Sequence, residues 1–160
     1  MKKVFLLLAV IFSTVGFAQS TLKDDVDVVQ SVYGKSKTEL VSQYMALTGT
    51  QAADFTKIYE AYETERKKLG QEKIQLINQY ATDYGTLTDA KADAIAKQAL
   101  KNNVDYDKLY SSYYEKVKKA VGAINATKFI QLEIYLQTEI RSSLQNAIPF
   151  VGELDMTKVK

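Results

Sequence analysis

Leu47-Thr48-Gly49-Thr50-Gln51 opens the longest patterned stretch of the chain. Ala52, Phe55, Tyr59, Tyr62, Arg66, Leu69, Lys73, Leu76 and Tyr80 follow it at alternating three- and four-residue steps. Steps of that size return to one face of an α-helix, and Ile58 and Ile77 widen the face into a heptad-like, coiled-coil seam. Thr48 followed three residues later by Gln51 has the form of a capping box. In it, the Thr48 hydroxyl accepts from the Gln51 backbone N–H and the Gln51 side chain returns to the Thr48 N–H. Leu47 precedes it as the staple residue. The pattern predicts a helix from Thr48 to about Tyr84, in which Gly70 is tolerable and permits a bend.

Outward from this helix, the punctuation divides the rest of the chain. Gly34 precedes a short helix over residues 35–46 with Leu40, Val41, Tyr44 and Met45 on one side. Gly85-Thr86-Leu87 breaks the long pattern, and Thr88 is suited to cap a third helix reaching about Val121. That helix carries Ala92, Ile95, Ala96, Ala99, Leu100, Val104, Tyr106, Leu109, Tyr110, Tyr113 and Val117 on its apolar side. Gly122 marks the next turn, and Asn125 is expected to cap a fourth helix to Ala147 or Ile148, striped by Phe129, Leu132, Tyr135, Leu136, Ile140 and Leu144. Pro149 ends it and residues 149–160 read as a tail. No strand-like alternation of useful length occurs, so the fold class is all-α, with long antiparallel helices joined by short turns.

The amino terminus reads as an export signal. Lys2 and Lys3 precede an apolar run from Val4 to Phe12, too short to span a bilayer, and Gly16-Phe17-Ala18 offers a cleavage pattern, with cutting expected after Ala18. Residues 19–46 are then a lead-in with the short helix, and residues 47–148 the main helical domain. The chain has 21 Lys+Arg against 19 Asp+Glu; the two excess cations are Lys2 and Lys3, so the processed chain is formally neutral. Neutrality removes the electrostatic footprint of a nucleic-acid binder. The absence of Cys leaves no disulfide framework in an oxidising compartment, so packing or dimerisation must supply the stability.

Little in the chain suggests chemistry. His and Cys are both absent, which removes the usual metal ligand and the commonest acid–base and nucleophilic groups. Glu60, Glu63 and Glu65, and the i,i+4 pair Asp89 and Asp93, read as solvated helix faces rather than paired catalytic carboxylates. The chain is therefore expected to be no enzyme and to carry no cofactor or metal. Tyrosine is the unusual residue, with 11 in the chain and no Trp. Its apolar body and polar tip suit either a packed helix seam or a sticky, soluble binding face. Arg66 and Lys73 occupy seam positions where Leu would be ordinary, and are open to the same two readings. The segment Asn125-Ala126-Thr127 matches a glycosylation sequon, but a helix cap explains Asn125 better.

The segment Leu47–Gln51 followed by Phe55, Ile58, Tyr59 and Tyr62 resembles the Spy/CpxP-type periplasmic proteins marked by an LTxxQ motif. The likeness spans roughly residues 38–148, through helix order and length more than identity. A second copy of the motif is altered at Leu87-Thr88-Asp89-Ala90-Lys91, where Lys replaces Gln, and Ile124-Asn125-Ala126-Thr127-Lys128 departs further. The resemblance implies bent helical hairpins dimerising into a thin cradle in the periplasm of a bacterium. It also implies either an ATP-independent chaperone for unfolded or aggregation-prone envelope proteins, or a regulator that binds a membrane sensor's periplasmic domain. A structural envelope component is the third expectation. On the chaperone reading the client-binding face comprises Phe55, Tyr59, Tyr62, Arg66, Lys73, Tyr106, Tyr110 and Tyr113, while Leu47, Thr48 and Gln51 serve only to start the helix.

Overall fold

The computed structural model describes residues 35–145, and all the regular structure within them is helical. The expected export signal at 1–18, the lead-in before Lys35, the end of the fourth helix at Ala147 or Ile148 and the tail at 149–160 lie outside the described residues. Helix α1 covers Lys37–Met45, α2 Gly49–Asp83, α3 Asp89–Val121 and α4 Ala123–Gln145, with a single 3-10 turn, Tyr84–Thr86, between α2 and α3. No helix among them is long and apolar enough to cross a membrane.

The helix starts follow local chemistry, though not everywhere the expected one. Thr48 sits at the N-cap of α2 with extended backbone, but its side chain makes no capping hydrogen bond, so the Thr48–Gln51 capping box is not formed. The cause is Gly49, whose φ of 60° turns the first residue of the helix into the left-handed region. That rotation takes the Thr48 hydroxyl away from the Gln51 N–H. The box is found instead at α1, where Ser36 Oγ accepts from the Glu39 N–H at 3.3 Å and Glu39 Oε2 accepts from the Ser36 N–H at 2.9 Å. Thr88 caps α3 as expected, its side chain accepting from the Lys91 N–H. Asn125 is no cap: it lies inside α4, and its Nδ2 donates to the Val121 carbonyl, satisfying the end of α3 across Gly122.

Cross-links set the directions of the helices. Glu65, Leu69 and Lys73 of α2 meet Tyr113, Asn102 and Asn103 of α3, so these two run in opposite senses. Lys37 and Met45 of α1 meet Glu133 and Lys128 of α4, again in opposite senses. The main core joins Val41 and Met45 of α1, Phe55, Tyr59 and Tyr62 of α2, Leu109, Tyr113, Val117 and Val121 of α3, and Ala126 and Phe129 of α4. Leu47 packs against it half-buried. The Phe129 ring is the hub, set edge-on to Phe55, Tyr59 and Tyr62 with centroids 5.2 to 6.3 Å apart. Edge-to-face geometry of this kind adds about 0.5–1.5 kcal/mol per pair beyond the area it hides. A second cluster, Leu136, Ile140 and Leu144, continues along α4 with Leu40, Ile77 and Leu132 against it.

Full burial ends beyond Gly70 of α2 and before Asn102 of α3. Between Gly70 of α2 and Asn102 of α3 no residue is fully buried, and Leu100 stands 65 % exposed on the expected apolar stripe. Val104, Tyr44 and Tyr135, also assigned to apolar stripes, are exposed as well.

The two caps make a direct comparison possible. Ser36→Ala should cost about 1 kcal/mol, the value of a lost N-cap hydrogen bond, whereas Thr48→Ala should change urea stability by only a few tenths of that. Equal losses would mean that Thr48 caps α2 after all.

Candidate functional site

The expected client-binding face is interior. Phe55, Tyr59, Tyr62, Arg66, Tyr106 and Tyr113 are all buried, and Lys73 and Tyr110 are half-buried. The physical reason is α4, which lays Phe129 and Glu133 across the α2 seam and makes a second layer where an open, one-layer cradle was expected. The tyrosines therefore act here as core, held by ring contacts and by buried polar partners.

Those polar partners form an ion network that draws on three helices. Lys37, the first residue of α1, donates from Nζ to Glu63 Oε1 and to Glu133 Oε2, each at 2.7 Å. Arg66 donates to Glu63 from Nε at 2.7 Å and from Nη2 at 3.1 Å, and Tyr62 OH donates to Glu133 Oε2 at 2.8 Å. Lys37 also sits 5.5 Å from the Tyr62 ring centroid. Arg66 and Glu133 are both fully buried, yet two cations face two carboxylates, so the cluster carries no net charge. Sequence reasoning noticed Arg66 but missed Lys37 and Glu133, and read Glu63 as solvated. The available signal was position: Glu133 lies four residues after Phe129 and three before Leu136, on the stripe itself.

Titration follows from this burial. Burial raises the Glu63 carboxyl, but Lys37 and Arg66 outweigh it and hold the group below its ordinary value. Its contribution to stability is complete above pH 4.5 and is lost as acid carries the pH through the lowered value. Burial, and then the Glu133 charge, push the Tyr59, Tyr62 and Tyr110 hydroxyls up, and burial with Glu65 takes Tyr113 to about 12. Lys73 is different. It donates to Asn103 Oδ1 at 2.9 Å, forms no ion pair among the described residues, and is pushed down to about 8 by burial and by the Arg141 charge.

Among the described residues no three His, Cys, Asp or Glu are placed to hold a metal. Glu60, Glu65, Asp89 and Asp93 are exposed; Asp93 pairs with Lys97, and Glu65 accepts from Tyr113 OH at 2.7 Å.

An open groove of about 470 Å³ lies between α1 and α2. Val41 and Met45 of α1 and Ala52, Phe55 and Tyr59 of α2 line it with apolar surface, closed at one end by Leu47. Its rim carries Thr38, Ser42, Thr56, Glu60, Glu63, Thr64 and Lys67. Of the expected binding residues, Phe55 and Tyr59 line this groove, as part of its buried floor. Beside the groove α1 packs on α4, and Lys37 ties its start to Glu63 of α2. No protein-family model, curated protein or solved structure matches the chain.

The two seam cations should part company when tested. Arg66→Leu leaves Glu63 short of a buried partner and should cost about 3–5 kcal/mol, as breaking a buried pair does. Lys73→Leu should instead stabilise the protein at neutral pH. The unfolded chain keeps the Lys73 proton up to 10.5 and the folded one loses it at about 8, so stability should rise between those values until tyrosine ionisation reverses it above pH 10. Urea titrations should show that rise for the parent and not for Lys73→Leu.

Proposed function

We propose that the protein is a periplasmic, ATP-independent chaperone-like protein of the Spy/CpxP type, which holds amphipathic or partly unfolded segments of envelope proteins. It acts without cofactor, nucleotide or catalysis, as a homodimer of bent helical hairpins. The single observation that supports this reading best is the α1–α2 groove, an open apolar trough with a hydroxyl-rich, charged rim. A surface of that composition grips the apolar face of a helix or strand while staying wet at its edges. The groove replaces the tyrosine seam as the place where a client binds, so contact falls to Val41, Met45, Phe55 and Tyr59 rather than to Arg66 or Lys73.

The regulatory alternative uses the same groove for one dedicated partner, such as the periplasmic domain of a sensor. Glu60, Glu63 and Lys67 on the rim favour it to the extent that a fixed charge pattern selects one sequence.

Light scattering of a chemically denatured test protein separates the readings. The processed chain at a few-fold excess should slow aggregation, and Ser42→Arg with Thr56→Arg, both exposed on the rim, should abolish the effect by filling the groove. Gln98→Arg, on the far half of α3, should leave it intact. If the parent chain gives no protection while one saturable partner is captured, the regulatory alternative holds. If Ser42→Arg with Thr56→Arg protects as well as the parent, the groove is not the binding surface.

A further inference from the structure

Glu133, Gln137 and Arg141 recur every four residues and so share one face of α4. The first belongs to the neutral ion network; the other two do not. Gln137 is buried, and its Nε2 donates to no atom among the described residues. The Nε of Arg141 is buried and likewise lacks an acceptor there. Donors hidden from water without a partner are uncommon and costly, so two on successive turns of one face call for an explanation. A second cation joins them from α2. Lys73 Nζ donates to Asn103 Oδ1 at 2.9 Å, and the Arg141 guanidinium carbon lies 5.3 Å from the centroid of the Tyr106 ring. Asn103 and Tyr106 are three residues apart on α3, about 4.5 Å along its axis at 1.5 Å per residue. Lys73 and Arg141 therefore meet α3 within one turn of each other.

No carboxylate compensates this pair. Neither cation forms an ion pair among the described residues. Glu133, one turn back, gives its Oε2 to Lys37 and Tyr62, and its Oε1, also without a partner, belongs to a set whose charges already balance. Burial and the Arg141 charge push Lys73 down to about 8, so at pH 7 both cations are still charged.

We propose that Lys73, Gln137 and Arg141 form a binding site for a tetrahedral oxyanion, the phosphate group. Two positive charges without a counter-charge match its dianion. The Lys73 ammonium keeps two N–H groups after bonding Asn103, and the Nε edge of Arg141 offers paired donors to two oxygens. The Gln137 amide adds a neutral donor, so the set addresses more oxygens than a carboxylate has. Both cations are half-buried, which leaves part of each in contact with water while strengthening its attraction for an anion. None of the three residues lines the α1–α2 groove, so the site stands independently of the chaperone reading.

Nuclear magnetic resonance of the nitrogen-15-labelled processed chain reads the site directly. At pH 7 and constant ionic strength, inorganic phosphate should shift the side-chain amide resonances of Asn103 and Gln137 saturably, and acetate should bind more weakly by about tenfold or more, having fewer oxygens and one charge. Lys73→Leu, expected above to be more stable than the parent and therefore folded, should lose the Gln137 response. Gln137→Leu should weaken phosphate binding by about tenfold, read at Asn103. Lys57→Leu, which removes an exposed cation elsewhere on α2, should bind phosphate as the parent does. Shifts that rise without saturating, an equal response to acetate, or a Gln137 response that survives Lys73→Leu would each overturn the proposal. Phosphatidylcholine vesicles doped with phosphatidic acid then identify the source of the phosphate group. Co-sedimentation of the parent but not of Lys73→Leu assigns it to a lipid headgroup, and co-sedimentation of neither assigns the site to free phosphate.

Discussion

Lys37 Nζ bridges Glu63 and Glu133 at 2.7 Å each, and this one ammonium group ties α1 to both α2 and α4. Each of these helices brings a charged residue on its buried stripe. On α1 the stripe is Lys37, Val41 and Met45; on α2 it is Phe55, Tyr59, Tyr62 and Arg66; on α4 it is Phe129, Glu133, Leu136 and Ile140. Burying any one of these charges alone is prohibitive, because the desolvation penalty is several kcal/mol per ion. Only the register that brings all of them together is allowed. A shift of one turn in any of the three helices would strand a charge among aromatic rings.

That register decides which surface the molecule offers. With Glu133 drawn down to Lys37 and Tyr62, α4 must lie along the α2 seam, and Phe129 enters among Phe55, Tyr59 and Tyr62. The tyrosines are then core. With Lys37 reaching inward and Ser36 capping the helix behind it, α1 is fixed at an angle that leaves the trough between itself and α2 open. The same contacts that close one face therefore create the other.

Much of the fold was legible because punctuation residues are local. Thr48, Gly85-Thr86-Leu87, Thr88 and Gly122 set the boundaries of α2, α3 and the start of α4 to within a residue or two, and the three-four spacing groups Phe55, Tyr59 and Tyr62 on one side of α2, Leu109 and Tyr113 on one side of α3, and Phe129 and Leu136 on one side of α4. The site was less legible, since periodicity shows that a face is buried without showing what buries it. Nothing local in the sequence says that α4 covers the seam of α2, so its spacing fits an outer surface as well as a core. Glu133 and Lys37 escaped notice because a charge on a stripe is recognised only when its partner, dozens of residues away, is known. Ser36 and Glu39 have the same capping form as Thr48 and Gln51, yet only the first pair forms the box, and the second is interrupted by Gly49 at a φ of 60°. Leu100 lies beyond the buried stretch, and Val104 lies on the side of α3 turned away from buried Asn102 and Tyr106.

Buried ion pairing between Lys37 and Glu133 fixes the register of the helices. A double-mutant cycle on Lys37→Met and Glu133→Leu, read by urea denaturation, tests it most directly. Each single variant should cost about 3–5 kcal/mol by leaving a charge unpaired, and the double variant should recover part of that loss, with a coupling of about 1–3 kcal/mol. Losses that simply add would show that the two charges act independently, and the account would be wrong.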